Sequence, residues 1–201
     1  MAQSYSKFTY DDLDKLNIKV VKHTLTFDGL QAVEPSSLLT ETLKRHLRMP
    51  LASEKAKCEF IITPILSDIT ERNIDKITYF SGYNFNVAKE LGLKGRCDYL
   101  LTYVPNSPRI EAPVLAVVEA KNDNLDEGIA QCIAQMFAFR MFNERKGKPT
   151  PVVYGAVTFG LEWQFLRLED QLVHLDTNIF YIKELPQILG ILQWIVDLYK
   201  N

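Results

Sequence analysis

The chain predicts an α/β protein in which helices cover a mixed central sheet, and three observations carry that expectation. Short apolar runs of strand length occur at 97–104, 114–121 and 152–159, bounded by turn residues. Longer stretches at 37–49, 53–69, 125–143 and 184–200 repeat apolar residues every three to four positions, as helices do. The two kinds alternate as helix, three strands, helix, strand from about residue 54, an order that layers helices on a sheet.

Taken in order, 10–18 is a short polar stretch with Asp11 and Asp12 beginning a helical turn or two. Residues 19–27 alternate as a strand and stop at Asp28-Gly29. Pro35-Ser36-Ser37 opens a helix to about Met49, with Leu39, Leu43 and Leu47 on one face and Pro50 as its stop. A second helix starts at Ser53-Glu54 and carries Phe60, Ile61, Ile62, Ile65, Leu66 and Ile69. Pro64 lies inside it and should bend or interrupt it, because proline lacks the N–H and crowds the preceding turn.

Strands follow at 77–87, 97–104 and 114–121, the last two separated by the turn signal Pro105-Asn106-Ser107-Pro108. Asn122-Asp123-Asn124 with Leu125-Asp126-Glu127 reads as a cap and an acidic first turn for a helix to about Asn143. Residues 152–159 form a buried strand, and 163–168 with 172–175 a hairpin around Glu169-Asp170-Gln171. A closing helix spans 184–200. One domain, 1–201, is the simplest organisation: a core at about 54–175, an N-terminal helix and strand extension over 1–50, and the closing helix.

The 201 residues suffice for a real core, and 47% hydrophobic with 24% charged residues is ordinary for a soluble protein. A net charge of -2 gives no overall basic field of the kind many nucleic-acid binders carry, although a local basic groove is compatible with it. Cys58, Cys97 and Cys132 are odd in number and hold no Cys-x-x-Cys pair, so neither a disulfide framework nor a zinc site is indicated. With no apolar signal core and no run long enough for a bilayer, a cytoplasmic protein that does not enter a membrane is expected. The closing helix is more apolar than one buried face needs. Core packing explains that first, and a homodimer contact second.

The most informative residues are Glu119-Ala120-Lys121, which end the apolar run Val114-Leu115-Ala116-Val117-Val118. Charges are seldom placed at the end of a buried strand without partners or a task. Residues two apart on a strand point to one side, so Glu119 and Lys121 project together. If 97–104 pairs with this strand as a hairpin, Asp98 falls near Glu119. Two carboxylates and one lysine then meet at one end of the sheet, a place for a hard divalent cation. The second acid-x-lysine triplet, Glu144-Arg145-Lys146, precedes Gly147 and Pro149 and reads as a solvated helix end. His23, His46 and His174 are scattered without ligand spacing and are taken as structural or surface residues.

This order, with Gly95-Arg96-Cys97-Asp98 on one strand, Val117-Val118-Glu119-Ala120-Lys121 on the next and Gln131 and Gln135 on the following helix, resembles the PD-(D/E)XK nuclease superfamily over about 54–159. Cys97 stands where the family's leading proline stands. The resemblance implies a restriction endonuclease-like core and a nuclease acting on DNA, with RNA the second substrate. Asp98, Glu119 and the Ala120 carbonyl would hold Mg²⁺, with Mn²⁺ as substitute, since all are hard oxygen ligands. Lys121 would orient the attacking water or stabilise the charged transition state. Family members often add an acid from the first core helix, for which Glu59 is the first candidate and Glu54 the second. Gln131 and Gln135 would contact the lysine or the phosphate backbone; Arg96, two residues before Asp98 and so on the same side of its strand, would bind phosphate.

The same residues have plainer readings. Asp98, Glu119 and Lys121 would make an ion-pair cluster without metal, Glu59 a solvated helix acid, Gln131 and Gln135 a polar helix face, and Arg96 a surface residue paired with Glu90. A nuclease-like protein that binds nucleic acid or protein without cutting, and an unrelated α/β domain, are the corresponding alternatives.

Overall fold

A mixed sheet of eight strands organises the fold, taken from a computed structural model that describes residues 4–121 and 125–200. The predicted cap Asn122-Asp123-Asn124 lies outside the described residues. The strands are β1 (Lys19–His23), β2 (Thr78–Asn84), β3 (Arg96–Thr102), β4 (Val114–Ala120), β5 (Val152–Thr158), β6 (Glu162–Glu169), β7 (Leu172–Asp176) and the short β8 (Phe180–Tyr181). Their order is β1-β7-β6-β5-β4-β3-β2, with β8 against β6. Hairpins make β2–β3, β3–β4, β5–β6 and β6–β7 antiparallel, whereas β4–β5 and β1–β7 are parallel. The sequence-predicted strand at 19–27 is shorter than expected, and its partner, β7, lies some 150 residues away.

The helices are α1 (Tyr10–Lys15), α2 (Ser37–His46), α3 (Glu54–Lys57), α4 (Thr63–Arg72), α5 (Asp126–Arg145) and α6 (Leu185–Asp197). Ile129, Ile133, Met136 and Phe139 of α5 pack on one face of the sheet with Leu100, Val117 and Val153. Ile65, Leu66 and Ile69 of α4, with Ile188, Leu192 and Ile195 of α6, pack on the other with Tyr99, Leu101 and Val118. Every residue of β4 is buried, because helices cover both faces. No helix among the described residues is long and apolar enough to cross a membrane. Cys97 and Cys132 are buried free thiols, and Cys58 is half-buried.

Three local departures from expectation have physical causes. The helix opened by the Ser36 cap, whose Oγ accepts from the Leu39 N–H at 3.1 Å, ends at His46, three residues before Met49, and Leu47 is 43% exposed. The sequence-predicted break at Pro64 is instead a π-turn over Cys58–Ile62 between α3 and α4, in which the Thr63 N–H bonds the Cys58 carbonyl. Proline leaves the Phe60 carbonyl without its usual i+4 donor, and His46 Nδ1 bonds that oxygen at 2.8 Å. The helix continues because another side chain supplies what proline removed.

The far end of α5 is fixed to β4 by one amide. Asn143 is fully buried, accepts from the Val114 N–H at 2.8 Å, and donates to the Val114 carbonyl at 2.9 Å and to Thr150 Oγ1 at 3.1 Å. Asn143→Ala strands these buried groups and should cost about 2–4 kcal/mol. The expected readout is a lower denaturant midpoint with an unchanged slope. A variant within experimental error of wild type would mean that the amide is not what joins helix to strand.

Candidate active site

The ladder between β3 and β4 runs Leu101↔Ala116, Leu100↔Val117, Tyr99↔Val118. The next step brings Asp98 opposite Glu119. There the Asp98 side chain takes over from the backbone: Oδ2 accepts the Ala120 N–H at 2.9 Å. The hairpin expected from sequence thus places both carboxylates at one end of the sheet. Lys121 follows β4, and its N–H donates to the Thr158 carbonyl of β5 at 2.8 Å. That bond fixes the backbone from which the lysine side chain departs.

Glu119 is fully buried. Lys121 Nζ donates to its Oε1 at 2.6 Å and to Gln131 Oε1 at 3.1 Å, and Gln135 Nε2 donates to its Oε2 at 2.9 Å. Gln131 and Gln135 lie four residues apart, on one face of α5. They therefore hold the lysine and the carboxylate, and both are buried rather than presented to a ligand. Gln135 Oε1 is itself buried with no hydrogen-bond partner. A glycine at 128 gives the lysine room: a Cβ there would lie 2.5 Å from Val157 Cγ1 and 3.0 Å from Lys121 Cγ. Sequence reading did not single out Gly128, since a lone glycine in a helix carries no marker of close approach.

Burial, and then the charge of Asp98, push the Glu119 carboxyl up to about 8 against the opposing pull of Lys121 and Gln135. Burial alone would lower the Lys121 ammonium, but the charge and hydrogen bond of Glu119 outweigh it and raise it. Lys121 is therefore a cation at neutral pH, suited to stabilising negative charge and not to taking a proton.

The other sequence candidates are distributed around this pair. Glu59 sits in the π-turn with its side chain 56% exposed and 3.7 Å from Lys55. Glu54, the second choice, contributes charge at Lys121. Arg96 is exposed, and its guanidinium lies over Gly82, where an added Cβ would be 2.2 Å from Nη2. Gly82 has φ +71°, and it occupies the β2 position between the pairs Ser81↔Tyr99 and Tyr83↔Cys97, beside Asp98. The triplet Glu144-Arg145-Lys146 closes α5, with Glu144 exposed and bonded to Arg140. His23 and His174, scattered in sequence, meet across β1 and β7 with Nε2 and Nδ1 at 2.7 Å.

Among the described residues no group of three or more His, Cys, Asp or Glu side chains is arranged to hold a metal ion. Asp98 and Glu119 are the hard oxygen donors that a divalent cation would take, although both Glu119 oxygens are bonded to Lys121 and Gln135. Two carboxylates repel one another at the sheet end, one of them buried, and the unpartnered amide oxygen of Gln135 lies beside it. No protein-family model matches the chain, and comparison with curated proteins finds no match.

Proposed function

We propose that the chain is a Mg²⁺-dependent nuclease of restriction endonuclease-like fold that hydrolyses phosphodiester bonds, with DNA the preferred substrate over RNA. The observation that carries this reading is the convergence of Asp98, Glu119 and Lys121 at one end of β3 and β4, with the lysine held in place by Glu119 and Gln131. The element order, a helix, three strands, a helix and a fourth strand parallel to the third, supports it.

Asp98, Glu119 and the Ala120 carbonyl are the oxygens that would hold Mg²⁺, which when bound supplies Lewis acidity toward the scissile phosphate. The protein's own part is electrostatic and positional. Lys121, protonated and largely withdrawn from water, offers a fixed positive charge to the phosphoryl oxygens as charge develops on them. Gln131 and Gln135 keep the lysine and the glutamate from moving, so little reorganisation accompanies the reaction. Arg96, seated on Gly82 near Asp98, is placed to contact a backbone phosphate.

Lys121→Ala should lower the cleavage rate in Mg²⁺ by about a hundred- to a thousand-fold. Glu119→Ala should reduce it to background, in both cases with a native circular dichroism spectrum. Purified variants that cut as wild type does would end this reading. A second reading, a nuclease-fold protein that binds nucleic acid or protein without cutting, is favoured by one feature. Both oxygens of Glu119 are already bonded within the protein. It predicts binding indifferent to Mg²⁺.

A further inference from the structure

β2 ends the sheet, and among the described residues its outer edge pairs with no strand. This free edge runs past the candidate site: Gly82 stands across from Asp98, between the pairs Ser81↔Tyr99 and Tyr83↔Cys97. Two side chains mark the stretch. Arg96 is exposed, and among the described residues it makes no ion pair, with Glu90 or with any other acid. Its guanidinium lies against Gly82, where an added Cβ would fall 2.2 Å from Nη2 and 2.8 Å from Cζ. Gly82 also has φ +71°, so a glycine is needed there twice over, for the turn of the backbone and for the room. Tyr83, next along the strand, is 45% exposed. One neighbour holds its ring: the buried Phe80 meets it nearly edge to face, with centroids 5.0 Å apart.

A single exposed aromatic residue needs no explanation by itself. Here the ring follows directly on the seat of an uncommitted guanidinium, at the end of the sheet that holds Asp98, Glu119 and Lys121. A guanidinium binds phosphate through paired N–H donors, and an aromatic ring stacks on a nucleobase, so the two match the two parts of one nucleotide. In a duplex each base face is covered by its neighbours, and a tyrosine at the surface can stack only on a base that has left the helix or never entered one. The net charge of -2 points the same way, since it gives no overall basic field for sequence-independent binding of a duplex.

We infer that the free edge of β2 carries a single-stranded segment of the substrate, with Arg96 on a backbone phosphate and Tyr83 stacked on an unpaired base. This rests on the nuclease reading above and deepens it: the substrate class is nucleic acid with unpaired bases beside the cut.

The test measures binding of a labelled DNA oligonucleotide in Ca²⁺, a hard oxygen-seeking cation, as a single strand and as the blunt duplex of the same sequence. Wild type, Tyr83→Ala, Tyr83→Phe and Arg96→Gln are compared, each checked for a native circular dichroism spectrum. Wild type should prefer the single strand. Tyr83→Ala should weaken single-strand binding about five- to a hundredfold and leave duplex binding unchanged, whereas Tyr83→Phe, which keeps the ring, should bind as wild type does. Arg96→Gln should lower the slope of log K against log salt for the single strand by about 0.7. Cleavage of the same strands by wild type in Mg²⁺ reports on the nuclease reading separately. A folded Tyr83→Ala variant with wild-type affinity for the single strand, or a wild type that prefers the duplex, would overturn the single-strand assignment and leave the nuclease reading standing. Wild-type protein that binds and cuts neither form would overturn both.

Discussion

Replacing Glu119 with Gln and Lys121 with Met together should yield a protein that no longer cuts nucleic acid and is more stable than wild type at pH 8, by about 1–4 kcal/mol. The pair is buried, with the Glu119 side chain 1% and the Lys121 side chain 16% exposed. Taking both charges out of water costs more than their attraction returns, and neutral side chains of similar shape avoid that cost. Each single variant should be the less stable form, because it leaves one charge without its partner.

The sign of the pH dependence follows from Glu119. Its carboxyl titrates near 8 in the fold against an ordinary value of 4.5, so between those limits the folded chain holds a proton that the unfolded chain has lost. Stability of the metal-free protein from this group is greatest below about 4.5, falls as pH rises, and is lost by about 8; the double variant lacks that decline. Denaturant melts of the four proteins across this range give both results. A double variant less stable than both singles at pH 8 would show that the ion pair is held for stability, contrary to the catalytic reading.

Calorimetric titration of Mg²⁺ into the metal-free protein should give binding that vanishes in Asp98→Ala/Glu119→Ala and strengthens steeply with pH. A metal ligand must be deprotonated, and below about 8 the proton on Glu119 has to leave first. Affinity should therefore rise about tenfold per pH unit, or about a hundredfold from pH 6 to pH 8, and level off above. The heat should depend on the buffer, since a proton is released with each ion bound. Mn²⁺ should behave alike. Affinity that stays flat across this range would separate the cation from Glu119. An absence of heat with either ion, alone or with a non-cleavable duplex, would favour the module that binds without cutting.

The centre of this site was legible because it is built by local rules. An unbroken apolar run such as 114–118 has to be covered on both faces, so charges at its end are conspicuous. A short hairpin then fixes which acid stands opposite which. The supporting residues were less legible in proportion to their distance from such rules. Gln131 and Gln135 were identified by their four-residue spacing, but that spacing could not tell a contact to phosphate from a contact to Lys121 and Glu119.

Glu59 was preferred over Glu54 for its place just before Phe60-Ile61-Ile62. The π-turn places an extra residue in that turn and breaks the phase at Cys58, and Glu59 faces Lys55 at the surface. The turn is itself tied to Pro64, whose effect on the Phe60 carbonyl is met by a histidine from another helix. The pairing of His23 with His174, 151 residues apart, leaves no local trace at all.

That last separation sets a schedule for the chain. Among the described residues the edge strand β1 pairs with β7 alone, and Gln31 is pressed so closely on Gly190 of α6 that a Cβ there would sit 2.4 Å from its carbonyl. A ribosome adding about 5–20 residues per second emits the N-terminal segment roughly 8–30 seconds before those partners exist. Through that interval β1 is an unpaired strand carrying Val20 and Val21, the kind of edge that recruits other chains. Lys19 and Lys22, which flank the two valines, are charges of the kind that disfavour such pairing until the chain's own last quarter arrives.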